Sequence, residues 1–289
     1  MPGQAMAPRS MKPSGPGRWI VPLLAWVVAC LAAPTPAAAQ VGGPAPPAAP
    51  APRARSRATE RGERRLFQRF VEDAAIIPGG WLEAQYRYDN FDNGSVHRVG
   101  PLVAFKLVDN IEAGLRFGFI DSRPDAGSSE SGISDIDLYA KYRLPGARSR
   151  FAVGTLVKTP TADDTRGLGT GKTDLELFGA FRADLEAVTL TANAGVRFNG
   201  NPAPPLPSIE DTVFVGAAVL LPASPQLTFV IEGTYESRTI KGTGADGRLT
   251  LGLQSFGPER RGGFRGAVAL PLSDGAPNYQ VLLGAFLVY

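Results

Sequence analysis

The chain holds one cysteine (Cys30), one histidine (His97) and three methionines in 289 residues. A single cysteine excludes an intrachain disulfide and a multi-thiolate metal site. A single histidine removes most zinc-enzyme arrangements. No recognisable serine motif accompanies it, so a serine hydrolase is not expected either. Long hydrophobic runs are also lacking. The apolar run Trp19–Ala33 is shorter than the about 20 residues a spanning helix needs. Mean hydropathy is −0.04, which excludes a helical membrane protein but not strands that cross a membrane with half their residues polar. The body lacks excess positive charge as well. Residues 1–80 carry 10 Lys/Arg against 4 Asp/Glu, and residues 81–289 carry 20 against 23. The basic character behind the formal +3 therefore belongs to the leader and lead-in, and no nucleic-acid partner is expected.

What is present begins with an export signature. Lys12 and Arg18 precede the apolar run, and Ala37-Ala38-Ala39 offers a small-residue cleavage site. This predicts a signal peptide over 1–39. Val27-Val28-Ala29-Cys30 reads alternatively as a lipidation box, with cleavage after Ala39 preferred. Residues 40–65 form a Pro/Ala-rich and then basic linker of the kind that buries no core. Leu66, Phe67, Phe70, Val71 and Ala74 fall on one helical face, predicting a short amphipathic lead-in helix over 66–80.

From Trp81 the period becomes two. Leu82, Ala84, Tyr86 and Tyr88 alternate with Glu83, Gln85, Arg87 and Asp89, so one strand face is apolar and the other charged. Val99, Val103, Phe105 and Leu107 oppose Arg98 and Lys106. Next, Ile111, Ala113, Leu115, Phe117 and Phe119 oppose Glu112 and Arg116, and then Ile136, Leu138, Ala140 and Tyr142 oppose Asp135, Asp137, Lys141 and Arg143. Further strands are expected near 150–159, 172–182, 188–199, 211–221, 226–237, 247–255, 263–271 and 279–289. The total is twelve, an even number as single-chain barrels of the bacterial outer membrane have. The expected architecture is all-β: a transmembrane antiparallel up-and-down β-barrel over 81–289. Connections alternate between short ones, such as 108–110, 183–187 and 222–225, and longer ones at 122–132, 160–171, 200–210 and 238–247, except that the last two, 257–262 and 273–278, are equally short. A soluble β-sandwich shares the alternation, but its polar face meets bulk water. Here that face mixes both charge signs with Gly, Ala and Thr, as a crowded lumen does.

The candidate functional residues follow from that face. Glu83, Arg87, Arg98, Lys106, Glu112, Arg116, Asp135, Asp137, Lys141, Arg143, Lys158, Asp174, Glu176, Arg182, Arg197 and Glu232 are expected to form a lumen charge network. In a low-dielectric interior opposite charges pair, because an unpaired buried charge is costly. That favours ion pairing of Asp135/Asp137 and Asp174/Glu176 over calcium binding or acid–base catalysis. Phe178, Phe214, Leu220, Leu282 and Phe286 are expected to make an apolar lumen sector. Tyr279, Val281, Leu283, Ala285, Leu287 and Tyr289 repeat at every second position. They resemble the C-terminal signal by which assembly machinery recognises outer-membrane proteins.

Gly167-Leu168-Gly169-Thr170-Gly171-Lys172-Thr173 superficially matches a phosphate-binding loop. The first glycine of that motif is replaced by Arg166, and a strand rather than a helix is expected to follow. The segments Glu72–Glu83, Gly132–Leu138 with Lys141–Leu144, and Lys158–Asp164 with Gly167–Asp174 together resemble the outer-membrane transporter-like family named for the meta-pathway of phenol degradation, over residues 72–289. The resemblance implies a bacterial outer-membrane location and uptake of aromatic compounds. The expected function is passive, porin-like transport of small solutes without catalysis or cofactor. Lipids, the assembly machinery and a small solute are the expected partners. The alternative is a non-conducting structural or binding barrel whose lumen is plugged by the lead-in helix.

Overall fold

A computed structural model describes residues 73–289, apart from 78, 146–148, 203–207, 241 and 258–260. The expected signal peptide, the expected linker and most of the expected lead-in helix lie outside the described residues. Where described, 73–77 carries no helical assignment.

Fourteen strand segments follow: β1 (Gly80–Phe91), β2 (Gly94–Val108), β3 (Ile111–Arg116), β4 (Phe119–Pro124), β5 (Glu130–Ile133), β6 (Ile136–Arg143), β7 (Ser149–Thr159), β8 (Asp174–Asp184), β9 (Thr189–Phe198), β10 (Thr212–Pro222), β11 (Leu227–Glu236), β12 (Asp246–Phe256), β13 (Gly262–Pro271) and β14 (Tyr279–Val288). β2 pairs with both β3 and β4, which are one strand interrupted at Phe117-Gly118. β5 and β6 are likewise one strand interrupted at Ser134-Asp135, β5 pairing with β4 and β6 with β3. The wall therefore has twelve antiparallel positions. It closes where β1 pairs with β14, from Trp81↔Val288 to Asn90↔Tyr279. Gly80 and Tyr289 extend the seam through reciprocal main-chain bonds of 2.6 and 3.1 Å. Closure leaves no edge in the wall itself, only along the projecting β5, which pairs with β4 alone, and this separates the barrel from the sandwich.

Period two decides which residues face in. Leu82, Phe105, Leu138, Phe151, Leu177, Phe229, Leu251, Phe264 and Leu283 all stand exposed on the outside. A girdling apolar surface of this kind suits acyl chains rather than water. Glu83, Glu112, Lys141, Glu176, Arg182, Glu232, Arg248 and Arg265 are buried inside. β10, apolar on both faces, holds its place because Phe214, Ala218 and Leu220 pack into the interior.

The rim bearing Gly80 and Val288 carries connections 109–110, 144–148, 185–188, 223–226 and 257–261, all short. The opposite rim carries the longer 160–173, 199–211, 237–245 and 272–278. The expected long loop over 122–132 is corrected. Strands β4 and β5 run through it, leaving only 125–129 as a tip. Asp121 and Arg123 face outward there, pairing at 2.6 Å. A polar outer face hides a strand that continues beyond the apolar band.

Candidate transport lumen

The segment before β1 turns into the barrel. Asp73, Ala74, Ala75, Ile76 and Ile77 are all buried. Lys141 donates to the carbonyls of Asp73 (2.7 Å) and Ala75 (2.8 Å). The Asp73 carboxylate pairs with Arg182, which also holds Asp184 at 2.8 Å. Glu112 accepts from the Ile77 amide (3.0 Å) and the Tyr139 hydroxyl (2.8 Å), with Lys141 at 3.6 Å. Ala74 packs against Ala152 and Ala180, where small side chains leave room for a backbone. The lumen at the short-turn rim is thus narrowed by the segment Asp73–Ile77. Beside it, Trp81 stacks on Phe286 at 4.4 Å, and Phe256 meets Phe286 edge-on at 5.4 Å.

Above this plug the charges pair across the wall. The Arg265 guanidinium meets both oxygens of Glu83, one at 2.6 Å, and the Trp81 indole donates to the same carboxylate at 3.0 Å. Arg197 bridges Glu176 (2.8 Å) and Glu236 (2.7 Å). Lys158 lies 2.5 Å from Asp174 and 3.4 Å from Asp135, and Arg116 lies 2.6 Å from Asp137. Each carboxylate of the two closely spaced pairs therefore meets a cation. No cluster of three or more His, Cys, Asp or Glu placed to hold a metal occurs among the described residues.

Most of the sequence-derived set faces in, with exceptions at the rims. Lys106 pairs with Asp109 in the turn (3.2 Å), and Arg143 donates to the Asp109 carbonyl (3.2 Å). Asp135 sits at the opposite end, accepting from the amides of Thr161 (3.1 Å) and Ala162 (3.0 Å). The expected apolar residues are spread around the wall. All five are buried and inward, but they fall in four separate clusters: Phe178 with Phe214, Leu220 with Ala218 and Val230, Leu282 with Ala267, and Phe286 with Trp81. The reason is cross-strand register. Phe178 stands between Gly154 and Gly195, and Phe214 lies on the far side of Gly195. Each ring occupies the space that a Cβ on its neighbouring glycine would take. The rings therefore cover the wall instead of gathering at the centre.

A cavity lies toward the long-loop rim. It measures about 310 Å³ and is lined in part by Arg87, Arg98, Arg116, Ile120, Leu168 and Leu282. It reaches the wall where β3 and β4 part at Phe117-Gly118.

No protein-family model matches this sequence, and no curated protein matches it closely enough to be a relative. Among solved structures, its fold is similar to the COG4313 outer membrane channel from Pseudomonas putida F1. The TM-score is 0.61 at 15% identity, over 78% of this chain and 100% of that one. NanC porin is also similar, with a TM-score of 0.54 at 9% identity, over 71% of this chain and 98% of that one. The likeness is one of fold.

This chain is a membrane-embedded β-barrel.

Several features take their meaning from the barrel. His97 points outward, its Nδ1 2.9 Å from the Tyr86 hydroxyl and its ring 4.9 Å from that of Tyr88. Tyr279 adjoins Tyr88 at 5.8 Å, completing an aromatic girdle patch. The glycine-rich loop before β8 folds over the mouth. Asp163 caps a single 3-10 turn, Asp164–Arg166. A hydrogen bond from the Thr165 hydroxyl, 2.6 Å long, holds the Asp163 carboxyl below the usual range. Arg166 reaches Glu130 of β5 at 2.9 Å, and Leu168 is buried over Gly132. Asp73, Asp89, Arg248, Arg265 and Glu236 were not among the sequence-derived candidates. The last four lie at inward positions of strands whose register was readable, whereas Asp73 precedes the period-two signal.

Proposed function

We propose that this barrel sits in the bacterial outer membrane and passes small solutes passively through a narrow lumen. The observation that carries this reading is the arrangement along the axis. A solute-sized cavity opens toward the long loops, above a segment, Asp73–Ile77, held by hydrogen bonds and ion pairs rather than by a sheet. Short turns on the termini side match the periplasmic rim of such barrels, and long loops the external one. The channel assignments of the similar structures support the same reading. Aromatic compounds enter as candidate solutes through the resemblance to the phenol-degradation family. The outward stripe Tyr279–Tyr289 serves as the assembly signal, and the leader directs export. No enzymatic step is assigned.

The second reading, a plugged binding barrel, draws on the same buried segment. Flux separates the two. Liposomes containing the folded protein should swell in small uncharged and anionic solutes of increasing size, with a sharp cut-off. Absence of flux for every solute would leave the binding barrel.

A further inference from the structure

The cavity carries both signs of charge in its lining, with cations in excess. Arg87, Arg98 and Arg116 line it, with side chains 34, 38 and 47% exposed. Each is paired with a carboxylate, and of the two only Asp89 lies outside the lining. Asp89, 4% exposed, takes Arg98 at 2.6 Å and Arg87 at 3.1 Å, and Asp137, 19% exposed, takes Arg116 at 2.6 Å. Arg87 and Arg98 are direct cross-strand partners on β1 and β2, and Arg116 follows on β3. Three adjacent strands therefore present guanidinium to one space, and with Lys158 and Arg265 the lining cations outnumber the lining carboxylates Glu83, Asp135 and Asp137 by five to three. A guanidinium carries its N–H donors in a planar fork that matches the two oxygens of a carboxylate. Ile120, Leu168 and Leu282 supply apolar lining to the same cavity. At about 310 Å³ it lies at the lower end of the range for small-molecule sites, about 300–1,000 Å³.

We propose that this cavity binds a small organic anion, a carboxylate with an apolar body. The carboxylate docks on Arg87, Arg98 and Arg116, and the body lies against Ile120, Leu168 and Leu282. Long-range attraction by the exposed guanidinium groups draws the anion in. Neutral aromatic solutes share the apolar contacts only, and organic cations are repelled. The inference deepens the transport reading by naming the solute class, but its test needs no conduction.

Benzoate, benzyl alcohol and benzylamine are titrated calorimetrically into the full chain, folded in a non-ionic detergent. Benzoate is expected to bind about tenfold or more tightly than benzyl alcohol, a gap of about 1.4 kcal/mol, and to weaken as salt rises. Benzylamine should not compete. Arg98→Gln and Arg116→Gln should each weaken benzoate about fivefold or more while leaving benzyl alcohol unchanged. If Arg98→Gln fails to assemble, the double change Arg98→Gln/Asp89→Asn, which keeps the local charge balance, serves in its place. Equal binding of benzoate and benzyl alcohol, tighter binding of benzylamine, no binding of benzoate, or full affinity in the variants overturns the proposal. Benzoate binding without solute flux upholds the site and defeats the transport reading. Flux without benzoate preference does the reverse.

Discussion

Lys141 holds Asp73 by its main-chain carbonyl, at 2.7 Å, and leaves the Asp73 carboxylate to Arg182. Two strands, β6 and β8, thereby grip one residue of the plug at separate points. The contacts read backbone as much as side chain, so the plug is held by its path through the lumen.

Removing the Lys141 grip should loosen the plug without opening the wall. Lys141→Met deletes two hydrogen bonds from a charged donor, each worth about 1.5–3 kcal/mol. Amide hydrogen exchange at residues 74–77 should quicken roughly tenfold or more, while β9–β12 keep their protection. Unchanged exchange at 74–77 would show that Lys141 does not anchor the segment.

The Glu83–Arg265 pair should be the costliest interior contact to break from one side. Glu83→Ala strips Arg265 and the Trp81 indole of a buried carboxylate and should cost about 3–5 kcal/mol. Glu83→Gln keeps an acceptor for the indole and should cost clearly less. Urea titration of the folded, heat-modifiable band measures both, and equal losses would contradict the assigned roles.

The inner rings depend on the glycines beneath them. A Cβ on Gly154 would overlap the Phe178 ring, so Gly154→Ala should destabilise the barrel by about 1–3 kcal/mol. Adding Phe178→Leu should recover part of that loss. A fully stable Gly154→Ala chain would show that the ring does not depend on the bare glycine beneath it.

Depth in the bilayer is testable on the outer face. Leu251, exposed at mid-strand on β12, should cost about 2–4 kcal/mol on change to arginine. Leu272, in the connection after β13, should cost no more than about 1 kcal/mol for the same change. Refolding into vesicles measures both, and the reverse order would misplace the apolar band.

Strand number, order and facing were legible because period two persists along the wall and a single residue's slip would invert every face. Glu83, Glu112 and Glu176 could be set inside on that basis alone. The grouping of Phe178, Phe214, Leu220, Leu282 and Phe286 was not legible. Which inward residues touch depends on inter-strand stagger, and alternation along one strand carries no information about it. Asp121 and Arg123 concealed strand β4 because they face outward beyond the apolar band. The plug was illegible for a different reason. Asp73–Ile77 has no repeat of its own, and its conformation is imposed by Glu112, Lys141 and Arg182.

Single-channel conductance tests the central claim most directly, comparing the full chain with one lacking residues 40–77, both confirmed as folded. The full chain should give small, discrete steps, and the shortened chain clearly larger ones, because the segment held by Lys141 and Arg182 no longer fills the lumen. Silence from both proteins would contradict transport through this barrel.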